Sequence, residues 1–288
     1  MRRYILAFFI GLFLLGCNSN IQQESTVQKF DKIVLEKEIT PLTKTVEKPV
    51  FEFDQSTKTI HILVALCDNK YQGIVLVPAK IGNGQDPDNN LYWGTAYGIK
   101  TYFKRSKEWT LVSSEKQSGE ILERLVFKHK TSDYYLVADA YDGQYIKQTT
   151  QDFLANIHGQ DKDTLNINNT TIGINGNANL VAYIGHDGLM DFELSETYKN
   201  TDGLTRSAII LACYSKSYFT SHLDQKTIQP LVWTTGLMAP EAYTIHDALS
   251  VYIKGQSNEE IQLAAANAYA KYQKCSVKAA KRLLVSGW

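Results

Sequence analysis

Short apolar runs alternate along most of this chain with segments of helical periodicity. The runs with the length and β-branched composition of buried strands are residues 60–66, 109–113, 134–138, 180–184, 207–212 and 231–235. Apolar residues at helical spacing predict helices over residues 91–104, 149–157, 259–273 and 276–284. Because such strands and helices alternate, the pattern predicts an α/β fold with a mainly parallel sheet, arranged as a three-layer αβα sandwich.

The first residues carry a different pattern, which is typical of an export signal. Arg2 and Arg3 precede an apolar run from Ile5 to Leu15, which is shorter than the roughly 20 residues that a membrane-spanning helix needs. The tail Leu14-Leu15-Gly16-Cys17 resembles the lipobox of bacterial lipoproteins. This resemblance implies cleavage after Gly16 and the attachment of acyl chains such as palmitate through Cys17. The alternative is an ordinary signal peptide followed by a chance cysteine.

The lipobox divides the chain into three segments. Residues 1–16 are the predicted signal peptide, residues 17–50 a polar lipid-anchored tether, and residues 51–288 the folded domain. Several acyl chains together would anchor the protein stably to a membrane. Asn18 stands where many lipoproteins retained at the inner membrane have aspartate. We therefore expect the bacterial cell envelope, at the outer membrane or cell surface rather than the inner membrane.

Composition mainly excludes functions. The chain is 44% hydrophobic and 21% charged, as expected of a globular protein, and its net charge of zero argues against nucleic acid as a partner. Its 17 tyrosines leave open a carbohydrate-binding or surface-assembly role. After Cys17 only Cys67, Cys213 and Cys275 remain, so at least one thiol of this exported chain is unpaired.

Two reactive side chains directly follow predicted strands. His186 comes after residues 180–184 and Cys213 after residues 207–212. The carboxyl ends of parallel strands are the usual ligand-binding edge of such a sheet. A thiol peptidase needs a nucleophilic sulfur, a group that moves protons, and N–H donors for the oxyanion. Taken singly, the cysteine is more typical of a small core residue and the His-x-Gly sequence of a turn.

Together, the two strand ends resemble the caspase–gingipain–legumain clan of cysteine peptidases. The clan has one apolar run ending in His-Gly and a later one ending in Ala-Cys, as in LVAYIGHDG (180–188) and AIILACYS (208–215). The likeness to legumains extends over roughly residues 60–245. The other segments that carry it are residues 65–73, 139–143, 150–154, 232–236 and 239–243.

The resemblance implies a caspase–hemoglobinase-like domain and a Cys-His dyad. Cys213 would be the nucleophile and His186 the general acid and base of an endopeptidase, acting on a peptide or protein substrate. Gly188 and Cys213 would offer the oxyanion N–H groups. Asn89, with Asn90 next to it, lies nearest to the asparagine that supports the histidine in legumains.

The chain also departs from the family pattern. Asp187 separates the histidine from the glycine that normally follows it, which would move the oxyanion donor or place a carboxylate beside the imidazole. The basic residues of the legumain specificity pocket are not evident in residues 88–92, so a preference for asparagine does not carry over. These departures favour an alternative, a catalytically inactive relative that binds a peptide, protein or glycan partner.

No other motif points to a cofactor or metal. Paired Cys or His residues at zinc-ligand spacing are missing, and Asp133, Asp139 and Asp142 do not match a calcium-binding loop. His61, inside the first strand, is interpreted as structural. The sequence therefore predicts neither cofactor nor metal.

Overall fold

A computed structural model describes residues 52–288. The predicted signal peptide, Cys17 and the tether of residues 17–50 lie outside the described residues. Among residues 52–288, no helix combines the length and the apolar character needed to cross a bilayer.

A mixed, mostly parallel sheet of eight strands forms the centre of the fold. The described strands are β1 (Lys58–Ala65), β2 (Trp109–Lys116), β3 (Ile121–His129), β4 (Tyr134–Tyr141), β5 (Lys162–Ile167), β6 (Thr170–Asn175), β7 (Leu180–Ile184), β8 (Arg206–Leu211), β9 (Ile228–Thr234) and β10 (Leu284–Val285). The main sheet has the order β10–β9–β8–β7–β1–β4–β3–β2. Its five central strands are parallel, whereas β2, β3 and β10 pair antiparallel at the two sides.

Helices pack on this sheet. They are α1 (Ile99–Lys104), α2 (Ile146–Ile157), α3 (Ser215–Phe219), α4 (Ala242–Tyr252), α5 (Asn258–Gln273) and α6 (Val277–Leu283). The longest of them, α5, begins at a capping box in which the side chains of Ser257 and Glu260 each accept the other residue's N–H.

Alternate residues of the central strands belong to two different cores, because successive side chains of a strand point to opposite faces. In β7, Leu180 and Ile184 join a core that includes residues of α1, α4 and α5. Val181 and Tyr183 join a second core with residues of α2 and α3. A strand with both faces buried has to be apolar throughout, which explains the continuous apolar run of β7.

The predicted helix over residues 91–104 is wrong in its first half. Residues 91–98 form turns, and α1 begins only at Ile99. The side chain of Asn90 accepts the N–H groups of Cys67 and Tyr92, both at 3.1 Å, and so competes with helical hydrogen bonds. A Cβ at Gly94 would lie 2.0 Å from the Asp88 carbonyl oxygen, so the tight turn requires glycine there.

The sequence pattern did not predict β3, the hairpin β5–β6 or helix α4. In β3, charged residues interrupt the apolar alternation, but the fold pairs them. Glu123 accepts the Trp93 indole N–H at 2.6 Å, and Arg124 donates to Asp139 at 2.7 Å. The pattern therefore misses this strand because its polar residues find partners only in the folded chain.

Candidate active site

The register of β7 and β8 aligns the two predicted catalytic residues. Ile184 of β7 is opposite Leu211 of the parallel strand β8. His186 and Cys213 each follow two residues later, at the carboxyl ends of the strands. Strand β1 lies on the other side of β7. After β1 the chain forms β2, β3 and β4 on one side of β1, and only later forms β7 on the other side. The strand order thus reverses beside the two residues, which is where ligands bind in open parallel sheets.

Cys213 stands on a sharp turn between β8 and α3. Tyr214 has a φ of 52°, in the left-handed region that residues other than glycine seldom occupy. Its N–H donates to the Gly236 carbonyl at 2.9 Å, and the buried Ser215 hydroxyl donates to the Ile210 carbonyl at 2.9 Å. These bonds offset the strained backbone and keep the Cys213 thiol half-buried at the strand end.

His186 follows a glycine that the fold requires. Gly185 has a φ of 142°, and a Cβ there would lie 2.6 Å from the Ala65 carbonyl oxygen of β1. The Tyr183 hydroxyl donates to the His186 carbonyl at 2.8 Å. Both contacts position the main chain of His186, which is only 6% exposed.

A carboxylate that the sequence analysis did not single out holds the imidazole. Nε2 of His186 lies 2.8 Å from Oδ2 of Asp191, which also accepts the Gly73 N–H at 2.9 Å. A Cβ at Gly73 would lie 2.4 Å from Oδ1 of Asp191, so this contact needs glycine. When Nε2 donates to the carboxylate, Nδ1 is the nitrogen left to accept a proton. Asp191 therefore orients His186 and joins the loops after β1 and β7.

Asn89, predicted to support the histidine, makes a different contact. Its amide donates to Asp86 at 2.7 Å within the loop after β1. The neighbouring Asn90 is fully buried and donates to the Cys67 carbonyl at 2.8 Å. Both asparagines hydrogen bond within this loop, and the side chain that hydrogen bonds to the His186 imidazole is Asp191. Asp191 follows His186 by only 5 residues, which could have drawn attention to it in the sequence. Whether its side chain faces the imidazole, however, depends on the turn between the two residues.

The two expected oxyanion donors differ in their surroundings. Gly188 is buried in the 3₁₀ turn Gly188–Met190, and its N–H makes no hydrogen bond to another described residue. The Cys213 N–H makes no hydrogen bond within residues 52–288. Neither N–H is bound to another part of the described chain, so both remain candidate donors to an oxyanion.

Cys213 and His186 open onto one cavity of about 270 Å³. Loops that follow β1, β7, β8 and β9 form its walls. The lining residues are Gly73, Ile74, Val75, Val77, Tyr92, Gly185, His186, Met190, Cys213, Leu237, Met238 and Pro240. The fold therefore brings the two predicted catalytic residues to the same concave surface.

The surroundings of Cys213 raise the pKa of its thiol above the ordinary value. Burial raises its pKa, the backbone of Met238 lowers it, and the negative charge of Asp187 raises it again, with a net increase from 9.0. The Met238 N–H lies 3.4 Å from Sγ and would stabilise a thiolate. An attack by this sulfur therefore requires a base, and His186 lines the same cavity.

Asp187 is the least satisfied polar group near the cavity. It is fully buried, its Oδ1 accepts the Leu189 N–H at 3.0 Å, and Oδ2 has no hydrogen-bond partner. Burial raises the pKa of Asp187 from 3.8 to about 7; the Leu189 N–H lowers it, and the charge of Asp191 raises it. The carboxyl beside the imidazole is Asp191, whereas Asp187 caps the turn that follows.

The aspartates considered for calcium have other partners. Asp139 is fully buried and bound by Arg124 and His61, while the Asp142 side chain accepts the Gln144 N–H. Asp133 lies 3.4 Å from Lys128. Within residues 52–288 there is no group of three or more His, Cys, Asp or Glu residues that could hold a metal ion.

Comparison of the chain with models of protein families, with curated proteins and with solved structures finds no match.

Proposed function

We propose that the protein is a cysteine endopeptidase with a Cys213–His186 dyad and the three-layer αβα fold of the caspase–hemoglobinase type. One observation carries the proposal: both residues end paired parallel strands and line the same cavity. The two cores on opposite faces of the sheet support the layered fold.

The reaction begins with the Cys213 thiol. His186 Nδ1 takes the proton from Sγ while the sulfur bonds to the carbonyl carbon of the scissile peptide. The Cys213 N–H donates to the developing oxyanion. The imidazolium then gives its proton to the leaving amine as the C–N bond breaks, which leaves an acyl-enzyme. Water then loses a proton to His186 while its oxygen bonds to the thioester carbon. The C–S bond breaks, the imidazolium returns that proton to the Cys213 sulfur, and the product leaves as a carboxylic acid that ionises in solvent.

Asp191 acts on His186 rather than on the substrate. Its carboxylate holds Nε2 and stabilises the positive charge that the imidazole gains during each proton transfer. The Met238 N–H acts similarly on the sulfur, because a hydrogen bond to a thiolate is stronger than one to a thiol.

A hydrolysis assay with a matched cysteine control tests the proposal. The full chain, purified in detergent, is screened against fluorogenic peptides, beside the variants Cys213→Ala and Cys275→Ala. Cys275 is exposed and does not line the cavity, so its removal should leave turnover unchanged. Loss of turnover in Cys213→Ala alone would support the dyad. Equal turnover in all three chains, or none in a folded wild type, would count against it.

A second candidate is a catalytically inactive protein that binds peptides in the same cavity. The raised pKa of the half-buried Cys213 thiol and the buried Asp187 that follows His186 favour it. Alkylation by iodoacetamide near pH 7 separates the two candidates. A dyad predicts faster labelling of Cys213 than of Cys275, and a slower rate after His186→Gln. Labelling of Cys213 that is no faster than that of Cys275 and insensitive to His186 would favour the inactive protein.

We also propose that acyl chains on Cys17 anchor the protein in a bacterial cell envelope, on the evidence of the lipobox pattern. Metabolic labelling with an alkyne analogue of palmitate, followed by membrane fractionation, tests this. The wild type should be labelled and sediment with membranes, while Cys17→Ser should lose the label. Label that persists in Cys17→Ser would contradict lipidation at this residue.

A further inference from the structure

We propose that the cavity beside Cys213 selects a large apolar side chain of the substrate, that of the residue just before the cleaved bond. Cleavage of that bond rests on the proposed function, whereas binding of the apolar side chain does not. The carbonyl carbon attacked by Cys213 belongs to that residue, so its side chain is the one that lies nearest to the sulfur. The cavity that Cys213 lines is therefore the natural place for this side chain.

The walls of the cavity are apolar on both sides of the dyad. The loop after β1 contributes Ile74, Val75 and Val77, and the segment after β9 contributes Leu237, Met238 and Pro240. Met190 completes the lining from the loop after β7. These side chains come from three separate loops, so the apolar surface is a product of the fold and not of one hydrophobic stretch.

The lining contains no Lys, Arg, Asp or Glu among the described residues. Its polar side chains belong to Tyr92 and to the dyad itself, and His186 is already engaged by Asp191. A charged substrate side chain would lose hydration there without gaining a partner of opposite charge, which is strongly unfavourable. Such a lining disfavours aspartate, lysine and arginine, and it offers an asparagine side chain few partners.

The size of the cavity suits a leucine, methionine or phenylalanine side chain. At about 270 Å³ it exceeds the engineered apolar cavity of about 150 Å³ that accommodates benzene in another protein. Small residues would leave much of this volume unfilled, and a single missing methylene in a hydrophobic site already lowers kcat/KM by roughly 10- to 200-fold.

The rim of the cavity is also apolar and exposed. Val75 is 91% exposed and Leu237 is 69% exposed, and both lie in irregular segments at the carboxyl edge of the sheet. Apolar side chains gathered at one exposed edge mark a surface that a partner covers. An extended substrate with its apolar residue in the cavity would cover both.

The test compares coumarin amides of acetyl-Ala-Ala-Ala-Xaa, in which Xaa is Leu, Phe, Asp, Lys or Asn, on the full chain in detergent. We expect kcat/KM for Leu or Phe to exceed that for Asp, Lys and Asn by at least about tenfold. Leu237→Lys should lower turnover of the Leu peptide by about tenfold and improve that of the Asp peptide, whereas the same change at a leucine that does not line the cavity, Leu204→Lys, should change neither. Since Leu237 and Leu204 are both mostly exposed, neither substitution should impair folding.

A parallel titration of the Cys213→Ala chain with the same peptides separates this inference from the proposed function. Cleavage with a preference for Asp, Lys or Asn would overturn the inference and leave the peptidase intact. Tighter binding of Leu and Phe peptides without cleavage by the wild type would support the apolar site and contradict the peptidase. Neither cleavage nor an apolar preference in binding would overturn both.

Discussion

Two histidine–aspartate pairs with nearly equal N–O distances have very different surroundings. Nε2 of His61 lies 2.9 Å from Asp139, and Nε2 of His186 lies 2.8 Å from Asp191. The first pair lies inside β1 and β4, and His61 Nδ1 accepts the Asn175 N–H at 3.1 Å. The second pair lies in a loop at the end of β7, facing a cavity. The distance between the partners therefore does not distinguish a structural pair from the pair proposed to act in catalysis.

The difference lies in which atoms remain unpaired. Asp139 is fully buried, and both of its oxygens accept hydrogen bonds from Arg124, so the inner network is complete. At the outer pair, Nδ1 of His186 makes no hydrogen bond within the described residues, and the nearby Asp187 has an oxygen without a partner. A complete network stabilises the fold, whereas spare proton-accepting atoms beside a thiol are what catalysis requires.

Replacing each histidine by glutamine should separate the two roles most strongly. His186→Gln removes the proposed base, and we expect kcat/KM to fall by about 10²- to 10⁴-fold with the free energy of unfolding nearly unchanged. His61→Gln should instead lower the free energy of unfolding by about 1–3 kcal/mol while the folded fraction keeps its activity. Peptide hydrolysis and urea unfolding measure the two quantities. Similar losses of activity in both variants would contradict the distinction.

Asp139→Asn should destabilise the protein by about 3–5 kcal/mol, because it leaves the Arg124 charge and His61 with an incomplete partner. Burial raises the pKa of Asp139, but the hydrogen bonds from Arg124 and His61 outweigh it and hold the pKa below 3.8. The stabilisation is therefore present above the unfolded pKa and is lost as the pH falls through the folded pKa. Urea unfolding at pH 7 and pH 3 should show the difference between variant and wild type shrinking at low pH.

Asp133→Asn provides the matched control for Asp139→Asn. Asp133 pairs with Lys128 at 3.4 Å, but its side chain is 81% exposed. We expect less than about 1 kcal/mol from its loss. A larger effect at Asp133 than at Asp139 would show that burial does not set the strength of these pairs.

Asp187→Asn should stabilise the protein near and above neutral pH, by on the order of 2–4 kcal/mol. The folded pKa of Asp187, raised to about 7, lies above its ordinary value of 3.8 because of burial. Its contribution to stability is thus fully present below pH 3.8 and lost as the pH rises through about 7. Unfolding free energies measured from pH 4 to pH 8 should show the advantage of the variant growing with pH. A constant difference across this range would contradict a buried, titrating carboxyl.

Asp191→Asn should decrease kcat by about tenfold with KM nearly unchanged. Asparagine can still accept the Nε2–H bond, but it stabilises the imidazolium less than a carboxylate does. Steady-state hydrolysis measures both constants. A decrease in kcat without a change in KM is expected of a residue that positions His186 and does not contact the substrate. A loss confined to KM would assign Asp191 to substrate binding instead.

Much of the fold could be predicted from local pattern. Strand β7 is apolar at every position because both of its faces are buried, and its bounds agree with the predicted residues 180–184. The alternation of such runs with helices was sufficient for an α/β fold with a mostly parallel sheet. Strand β3 could not be recognised, because Glu123 and Arg124 find their partners in other parts of the chain.

The candidate site divides in the same way. The sequence by itself determined that a histidine and a cysteine each follow an apolar strand, since strand ends are visible as breaks in hydrophobicity. Only the tertiary structure decided that Asp191 holds His186 and that one apolar cavity forms beside Cys213. The physical reason is the distance along the chain over which these features arise. The apolar pattern of a strand depends on neighbouring residues, whereas hydrogen-bond partners and cavity walls come from loops that only the packed sheet brings together.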